Sequence, residues 1–93
     1  MSRETVHKFA LNRRPGWQEV AVTGFHCWVD AGVQGDELVL WALVDVSDPT
    51  ETVHDIVVGW TGMPVETALP PFRTVQTPDG LVWHLFMYRG FAQ

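Results

Sequence analysis

Histidines and a single cysteine are the side chains of this sequence best suited to proton transfer or nucleophilic attack. The histidines stand at positions 7, 26, 54 and 84, and the cysteine is Cys27. A nucleophile also needs a neighbouring base and a group that orients the base, and no spacing in the sequence assembles such a set. Cys27 could pair with His26, His54 or His84, but it falls among alternating apolar residues, which favours a buried thiol. We therefore expect no catalytic residues and no enzyme activity.

Short motifs for phosphate, metal and acyl chemistry are missing from the sequence. It contains no glycine-rich phosphate loop, no cysteine pair at metal-binding spacing, no His-Glu-x-x-His and no Gly-x-Ser-x-Gly. The histidines could bind a metal with Asp30, Asp45 or Asp55 only if the strand order brought them together. His54 and Asp55 are neighbours on a predicted strand, so their side chains should point to opposite faces and not act as a pair. We expect no metal and no cofactor.

The segment 59–64, Gly-Trp-Thr-Gly-Met-Pro, offers the best candidates for binding. A loop with exposed backbone donors and an aromatic ring can hold a small ligand, although its tryptophan could instead close one end of the core. In the closing hairpin, Arg73 could supply a cation and His84 a hydrogen-bonding ring if the fold placed them nearby. The candidate ligand- or partner-binding residues are Trp60, Thr61, Gly62, Arg73 and His84.

The elements that must position these residues are predicted to be β-strands. Apolar residues alternate or cluster in short, β-branched segments separated by glycine, proline and asparagine, which is typical of strands and turns. The predicted strands are 5–11, 17–22, 25–33, 38–46, 52–60, 72–76 and 81–88. The sequence thus predicts an all-β, mainly antiparallel fold of about six or seven strands, either a small β-sandwich or a partly open barrel. One short helical turn could form near 65–69.

Three of these strands make specific predictions about the core. In 25–33 the odd positions are apolar, which places Cys27 on the core face. The strands 38–46 and 81–88 are apolar on both faces, so we expect further layers or a partner subunit to cover them. Trp28, Trp41 and Trp83 are interpreted as core residues, and a homo-oligomer is expected.

Length and charge restrict the remaining possibilities. The chain has 93 residues and a formal net charge of −5, so we expect one domain spanning 1–93, with 1–4 and 90–93 frayed. The acidic balance disfavours nucleic-acid binding. Four of the six basic residues fall within the first 14, and they either steer a partner or only solubilise the terminus. With no long apolar segment and a single cysteine, we expect no membrane contact and a cytoplasmic location.

Several ordered segments resemble a family of short bacteriophage proteins of unknown function. They are Trp-Ala-Leu-Val-Asp at 41–45, Gly-Trp-Thr-Gly-Met-Pro at 59–64 and Val-Trp-His-Leu-Phe at 82–86, preceded by His-Lys-Phe at 7–9. The resemblance covers about 5–88. The family pattern reads Gly-Thr-Gly-His-Pro where this sequence has Trp60 inserted and Met63 in place of histidine. The resemblance implies a phage accessory protein made inside a bacterial host, and it carries no assigned activity.

Two hypotheses about function follow. The first is a non-enzymatic binder or inhibitor of a host bacterial protein, acting through a β edge or an aromatic patch. The alternative is a module that sequesters a small, nucleotide-like signal and so counters host defence.

Overall fold

The computed structural model describes residues 3–65 and 67–90, and their regular structure is entirely β. The strands are β1 (Glu4–Leu11), β2 (Gly16–Thr23), β3 (Phe25–Gln34), β4 (Glu37–Asp45), β5 (Glu51–Trp60), β6 (Pro71–Gln76) and β7 (Val82–Phe86). The predicted all-β class is therefore confirmed. Within the described ranges, no helix long and apolar enough to cross a membrane is present.

The strands form two antiparallel sheets packed as a sandwich. One sheet has three strands in the order β1-β4-β3, and the other has four in the order β2-β5-β7-β6. The chain passes from one sheet to the other after β1, β2 and β4, so each sheet combines distant parts of the sequence. Neither sheet closes on itself, which decides between the two predicted architectures in favour of the sandwich.

The core lies between the sheets and follows the period-two pattern of the strands. Leu38 and Leu40 of β4 face Ile56 of β5 and Leu85 of β7, and all four side chains are fully buried. Burying each such side chain stabilises the fold by about 1.5–3 kcal/mol. On the outer face of β4, the Trp41 indole lies against Gly32. A Cβ atom added to Gly32 would come within 2.9 Å of this ring. The second apolar face of β4 is thus covered partly by its own tryptophan.

Two irregularities in β3 change the predicted faces in the middle of that strand, while Phe25, Ala31 and Val33 face the core as predicted. The register with β4 shifts between Phe25 and Cys27 and again between Trp28 and Asp30. Each shift inserts an extra residue, which moves the following side chains to the other face. Trp28 is therefore fully buried in the core, whereas the Cys27 thiol is only half-buried. The prediction that Cys27 lies on the buried face was wrong for this reason.

A corner at Gly24 joins three segments of the chain. Its N–H donates to the carbonyl of Thr50 at 2.8 Å, and its carbonyl accepts from the N–H of Asp45 at 2.8 Å. Gly24 has φ +73°, and a Cβ atom there would overlap the Asp45 carbonyl oxygen. Hydrogen bonds from the Ser47 hydroxyl and from the backbone of Arg3 and Ser47 lower the pKa of Asp45 to about 2. The corner is thus held by backbone and side-chain bonds together.

A polar network closes the end of the core beside the β6–β7 hairpin. The indole N–H of Trp83 donates to the buried Thr77 hydroxyl at 3.0 Å, and that hydroxyl donates to Asp79 at 2.6 Å. Asp79 also pairs with the Arg13 guanidinium, which lies 5.7 Å from the centre of the Trp83 ring. The Thr77 hydroxyl is the main cause of a lowered Asp79 pKa. The basic Arg13 is therefore part of the fold rather than a free terminal charge.

The segment between β5 and β6 differs from expectation. The described residues near 65–69 form bends and not a helical turn, because the Thr67 hydroxyl accepts from the Leu69 N–H and Pro70 follows directly. Glu4 already belongs to β1, and Gly90 forms a bridge with Cys27. Fraying was expected over 1–4 and 90–93. Within these ranges, the Arg3 backbone N–H donates to the Asp45 carboxylate. The remaining positions, 1–2 and 91–93, lie outside the described residues.

Candidate functional site

His84 is held between two threonine hydroxyls on the outer face of the four-stranded sheet. It lies on β7 between Gly59 of β5 and Thr74 of β6. Its Nε2 is 2.7 Å from the Thr61 Oγ1, and its Nδ1 is 3.0 Å from the Thr74 Oγ1. A hydroxyl can donate to or accept from a ring nitrogen, so each nitrogen of His84 has a hydrogen-bonding partner. The arrangement presents two oriented hydroxyls to solvent rather than a free ring nitrogen.

Trp60 and Gly62 lie at the end of the same sheet. Trp60 packs on Trp83, with ring centroids 5.3 Å apart, and 37% of its surface is exposed. Gly62 forms the turn that follows, with φ +94°. Trp60 and Thr61 line a shallow cleft of about 320 Å³ together with Gly80, Leu81 and Val82. Trp60 therefore closes the end of the core and also borders this cleft.

Arg73 lies at the edge between the sheets. Its Nε is 2.6 Å from the Asp30 Oδ1 of β3, so the guanidinium joins β6 to the other sheet. Arg73 and His84 line one open cleft of about 510 Å³, whose other walls include Phe72 and Phe86. The fold thus brings Thr61 to His84 and places Arg73 in the cleft beside His84, whereas Trp60 borders the neighbouring cleft.

A row of apolar side chains crosses the outer face of the four-stranded sheet beside His84. Trp17 of β2 is directly opposite Val57 of β5, and Val57 is directly opposite Phe86 of β7. Residues opposite each other on antiparallel strands share a face with their Cβ atoms about 4.5–5.5 Å apart. On the same face, Val53 of β5 lies beyond Asp55 from Val57, and Val53, Asp55 and Tyr88 line one shallow cleft. We call Trp17, Val53, Val57, Phe86 and Tyr88 the aromatic face.

The aromatic face is strongly exposed. Trp17, Val53 and Tyr88 expose 62%, 57% and 65% of their surfaces, while Val57 and Phe86 are half-buried. The Trp17 indole N–H donates to the Asp55 carboxylate at 3.0 Å, which fixes the ring in place. Large, oriented aromatic side chains of this kind are enriched at protein interfaces.

Acidic side chains lie within and beside the aromatic face. Glu19 and Asp55 are directly opposite each other, and Glu51 is opposite Thr23 at the end of the same two strands. The strands β2, β5 and β7 contain no lysine or arginine. The exposed apolar row is therefore acidic on its β2 and β5 side, while Arg73 of β6 lines a cleft with Phe86 on the other side.

Trp17 was not among the candidate residues, although the sequence held an indication of its position. In the predicted strand 17–22, Val20 and Val22 occupy even positions, so Trp17 falls on the opposite face with Glu19. Val20 packs against the core and Val22 is fully buried. A bulky aromatic residue out of phase with a buried strand face indicates an exposed tryptophan.

The histidines and carboxylates of the described residues do not converge. Within 3–65 and 67–90, no three His, Cys, Asp or Glu side chains are grouped as metal ligands would be. The His26 Nε2 is 3.6 Å from Glu4, His54 packs on Phe25, and His84 lies between threonines.

The fold and the site define an all-β sandwich with an exposed aromatic sheet face and shallow, open clefts. A family described as Domain of unknown function (DUF7352) matches residues 2–92, and the chain belongs to this family. No curated protein matches the chain. No solved structure matches it either.

Proposed function

We propose that this protein is a non-enzymatic binding protein whose aromatic face recognises a protein of a bacterial host. The observation that carries the proposal is the row of Trp17, Val57 and Phe86 across three strands, with Trp17 exposed and fixed by Asp55. Contiguous exposed apolar surface costs solubility and commonly marks an interaction site. Tryptophan and tyrosine are also the residues that most often dominate binding energy.

The charges around the aromatic face support a particular kind of partner. With Glu19, Asp55 and Glu51 on β2 and β5, where no lysine or arginine occurs, the complementary surface has an apolar centre and basic groups opposite these two strands. Such complementarity accelerates association and excludes acidic surfaces. Binding should accordingly weaken as salt concentration rises.

The origin of the protein is part of the same proposal. The resemblance of segments 41–45, 59–64 and 82–86 to short bacteriophage proteins supports an accessory protein that acts in the host cytoplasm. The alternative, a nucleotide-like ligand, draws less support from the geometry. Arg73 is paired with Asp30, and Trp60 borders a different cleft from His84, so one ligand would not contact all five candidates at once.

The proposal is tested by capture of host proteins on the immobilised chain, followed by mass spectrometry and by affinity measurement with the purified partner. We expect one host protein to be retained specifically. The variant W17S should weaken its affinity by about 30-fold or more, which corresponds to the loss of one dominant contact of about 2 kcal/mol.

A matched control removes exposed apolar surface from the other sheet. Val29 on β3 exposes 42% of its surface, so V29S should fold and bind like the parent chain. The proposal is overturned if W17S and F86S retain the partner as well as V29S does, or if no host protein is retained specifically by the folded parent chain.

A further inference from the structure

The strand β1 has an edge that no described residue covers. It is the first strand of the three-stranded sheet and pairs only with β4. From Glu4 to Lys8 every side chain is exposed, and Val6 exposes 50% of its surface. An exposed, regular edge strand is a template on which another strand can pair.

Hydrogen bonding to β4 determines which backbone groups point to this open edge. The Val46 N–H donates to the Arg3 carbonyl at 2.9 Å. Because hydrogen-bonded positions alternate along an antiparallel pair, odd-numbered residues of β1 bond to β4. The N–H and C=O groups of Glu4, Val6 and Lys8 therefore point outward and are available to another strand.

The other terminal strands present less suitable edges. β3 contains two register shifts and is bridged by Gly90. β6 begins at a proline and has a shift between Pro71 and Arg73. β2 is regular, but Glu19 is its single charged residue, so two copies of β2 cannot form opposite-charge pairs. The Gln18 side chain also bonds the backbone of Asn12 beside this strand. Among these four strands, β1 alone combines a regular edge with charges of both signs.

We infer that β1 pairs with β1 of a second copy of this chain, antiparallel and centred on Val6, to form a six-stranded sheet across a homodimer. This register places each Glu4 directly opposite Lys8 of the second copy and joins the two Val6 residues through their own N–H and C=O groups. A shift by two residues in either direction leaves Glu4 opposite an uncharged residue, and a further shift can bring Lys8 opposite Lys8. The pattern Glu4-x-Val6-x-Lys8 is thus self-complementary in one register.

The surroundings of the edge are compatible with this dimer. Glu4 and Lys8 now reach over β4, to His26 at 3.6 Å and to Gln34 at 2.7 Å. Both contacts join exposed side chains, which contribute little stability, so they can be exchanged for the cross-strand pairs. Val6 shares the outer sheet face with its opposite residue, the half-buried Leu43, so pairing also extends an apolar row. The dimer edge lies on the sheet that does not carry the aromatic face.

Charge reversal provides the test, with mass measured by sedimentation equilibrium. The parent chain should dimerise, and K8E or E4K should each weaken self-association by about tenfold or more, because each places like charges opposite each other twice. An equimolar mixture of K8E and E4K should form a heterodimer, since one chain is then acidic at both positions and the other is basic at both. The double variant E4K/K8E should dimerise like the parent chain.

A backbone variant and a control separate the edge from other effects. V6P removes one outward N–H without removing a bond to β4, so it should remain folded by circular dichroism and become monomeric. E19K on the edge of β2 should leave the dimer unchanged. A parent chain that stays monomeric up to its solubility limit, or a dimer that K8E and E4K form as readily as the parent chain does, overturns the inference.

Discussion

His54 is a partly buried histidine whose ring lies against the aromatic side of the core. Its centroid is 4.0 Å from that of Phe25 and 5.5 Å from that of Trp28, to which it is nearly perpendicular. Burial lowers its pKa below the ordinary value of 6.5, and the smaller effect of the neighbouring Asp55 opposes that change. The folded state therefore favours the neutral ring.

This lowered pKa predicts how stability depends on pH. Between the lowered folded value and 6.5, the unfolded chain binds more protons at His54 than the folded chain does. The free energy of unfolding is thus greatest above about pH 6.5 and falls as the pH drops toward the folded pKa. Urea unfolding from about pH 5 to 8 should show this slope in the parent chain and a smaller slope in H54F. Equal slopes for H54F and the parent chain would contradict the prediction.

The tryptophans show how far the sequence could predict individual residues. Burial of Trp28 and Trp83 was predicted correctly, from the place of Trp28 in a central hairpin and from the strongly apolar strand that contains Trp83. Trp60 was singled out from its glycine-rich bend, whereas Trp17 is the more exposed of the two. Exposure depends on which face of a strand the opposite sheet covers, and this could be inferred for Trp17 only from its phase relative to Val20 and Val22.

At the scale of elements, strand positions were predictable but strand geometry was not. Apolar alternation and turn residues placed all seven strands within a few residues of their observed bounds. No comparable sequence pattern marks the two register shifts of β3 against β4. Among the contacts that accompany them, the Trp28 N–H donates to the carbonyl of Arg89, and the Arg89 guanidinium donates to the Trp28 carbonyl at 3.1 Å. These bonds join residues about sixty positions apart, so only the assembled sandwich specifies them.

Two glycines in connections between strands should respond very differently to substitution by alanine. Both have left-handed backbone, with φ +73° at Gly24 and +62° at Gly35, but only Gly24 has no room for a Cβ atom. G35A should lower the free energy of unfolding by about 1–2 kcal/mol, because an L-residue is less stable in that conformation. G24A should cost more than about 3 kcal/mol, because it also displaces the Asp45 carbonyl and the bonds of the corner. Urea unfolding measures both, and equal losses would show that the corner relaxes freely.

At the scale of the whole molecule, the two proposed surfaces lie on different sheets. Pairing through β1 uses an edge of the three-stranded sheet, and the aromatic face belongs to the four-stranded sheet. A dimer would therefore present two aromatic faces related by a two-fold axis. A partner that is itself dimeric, or that carries repeated sites, would then bind with higher apparent affinity than a single face provides.

The segment that follows β7 allows stability and binding to be separated at adjacent positions. Met87 is 1% exposed in the core, whereas Tyr88 is 65% exposed on the aromatic face. M87A should lower the free energy of unfolding by about 2–5 kcal/mol through loss of buried surface and the cavity it leaves. Y88A should change stability by less than about 0.5 kcal/mol, yet it should weaken binding of the captured host protein.

Thermal unfolding and affinity, measured on both variants below the melting temperature of M87A, distinguish the two roles. Folded M87A should bind like the parent chain, because its side chain does not reach the outer surface. Reduced affinity in folded M87A with unchanged affinity in Y88A would assign recognition to a surface other than the aromatic face. Unchanged affinity in folded M87A with reduced affinity in Y88A would show that Met87 supports the core while Tyr88 contacts the partner. Successive side chains of an extended chain point to opposite faces, which is the alternation that this result requires.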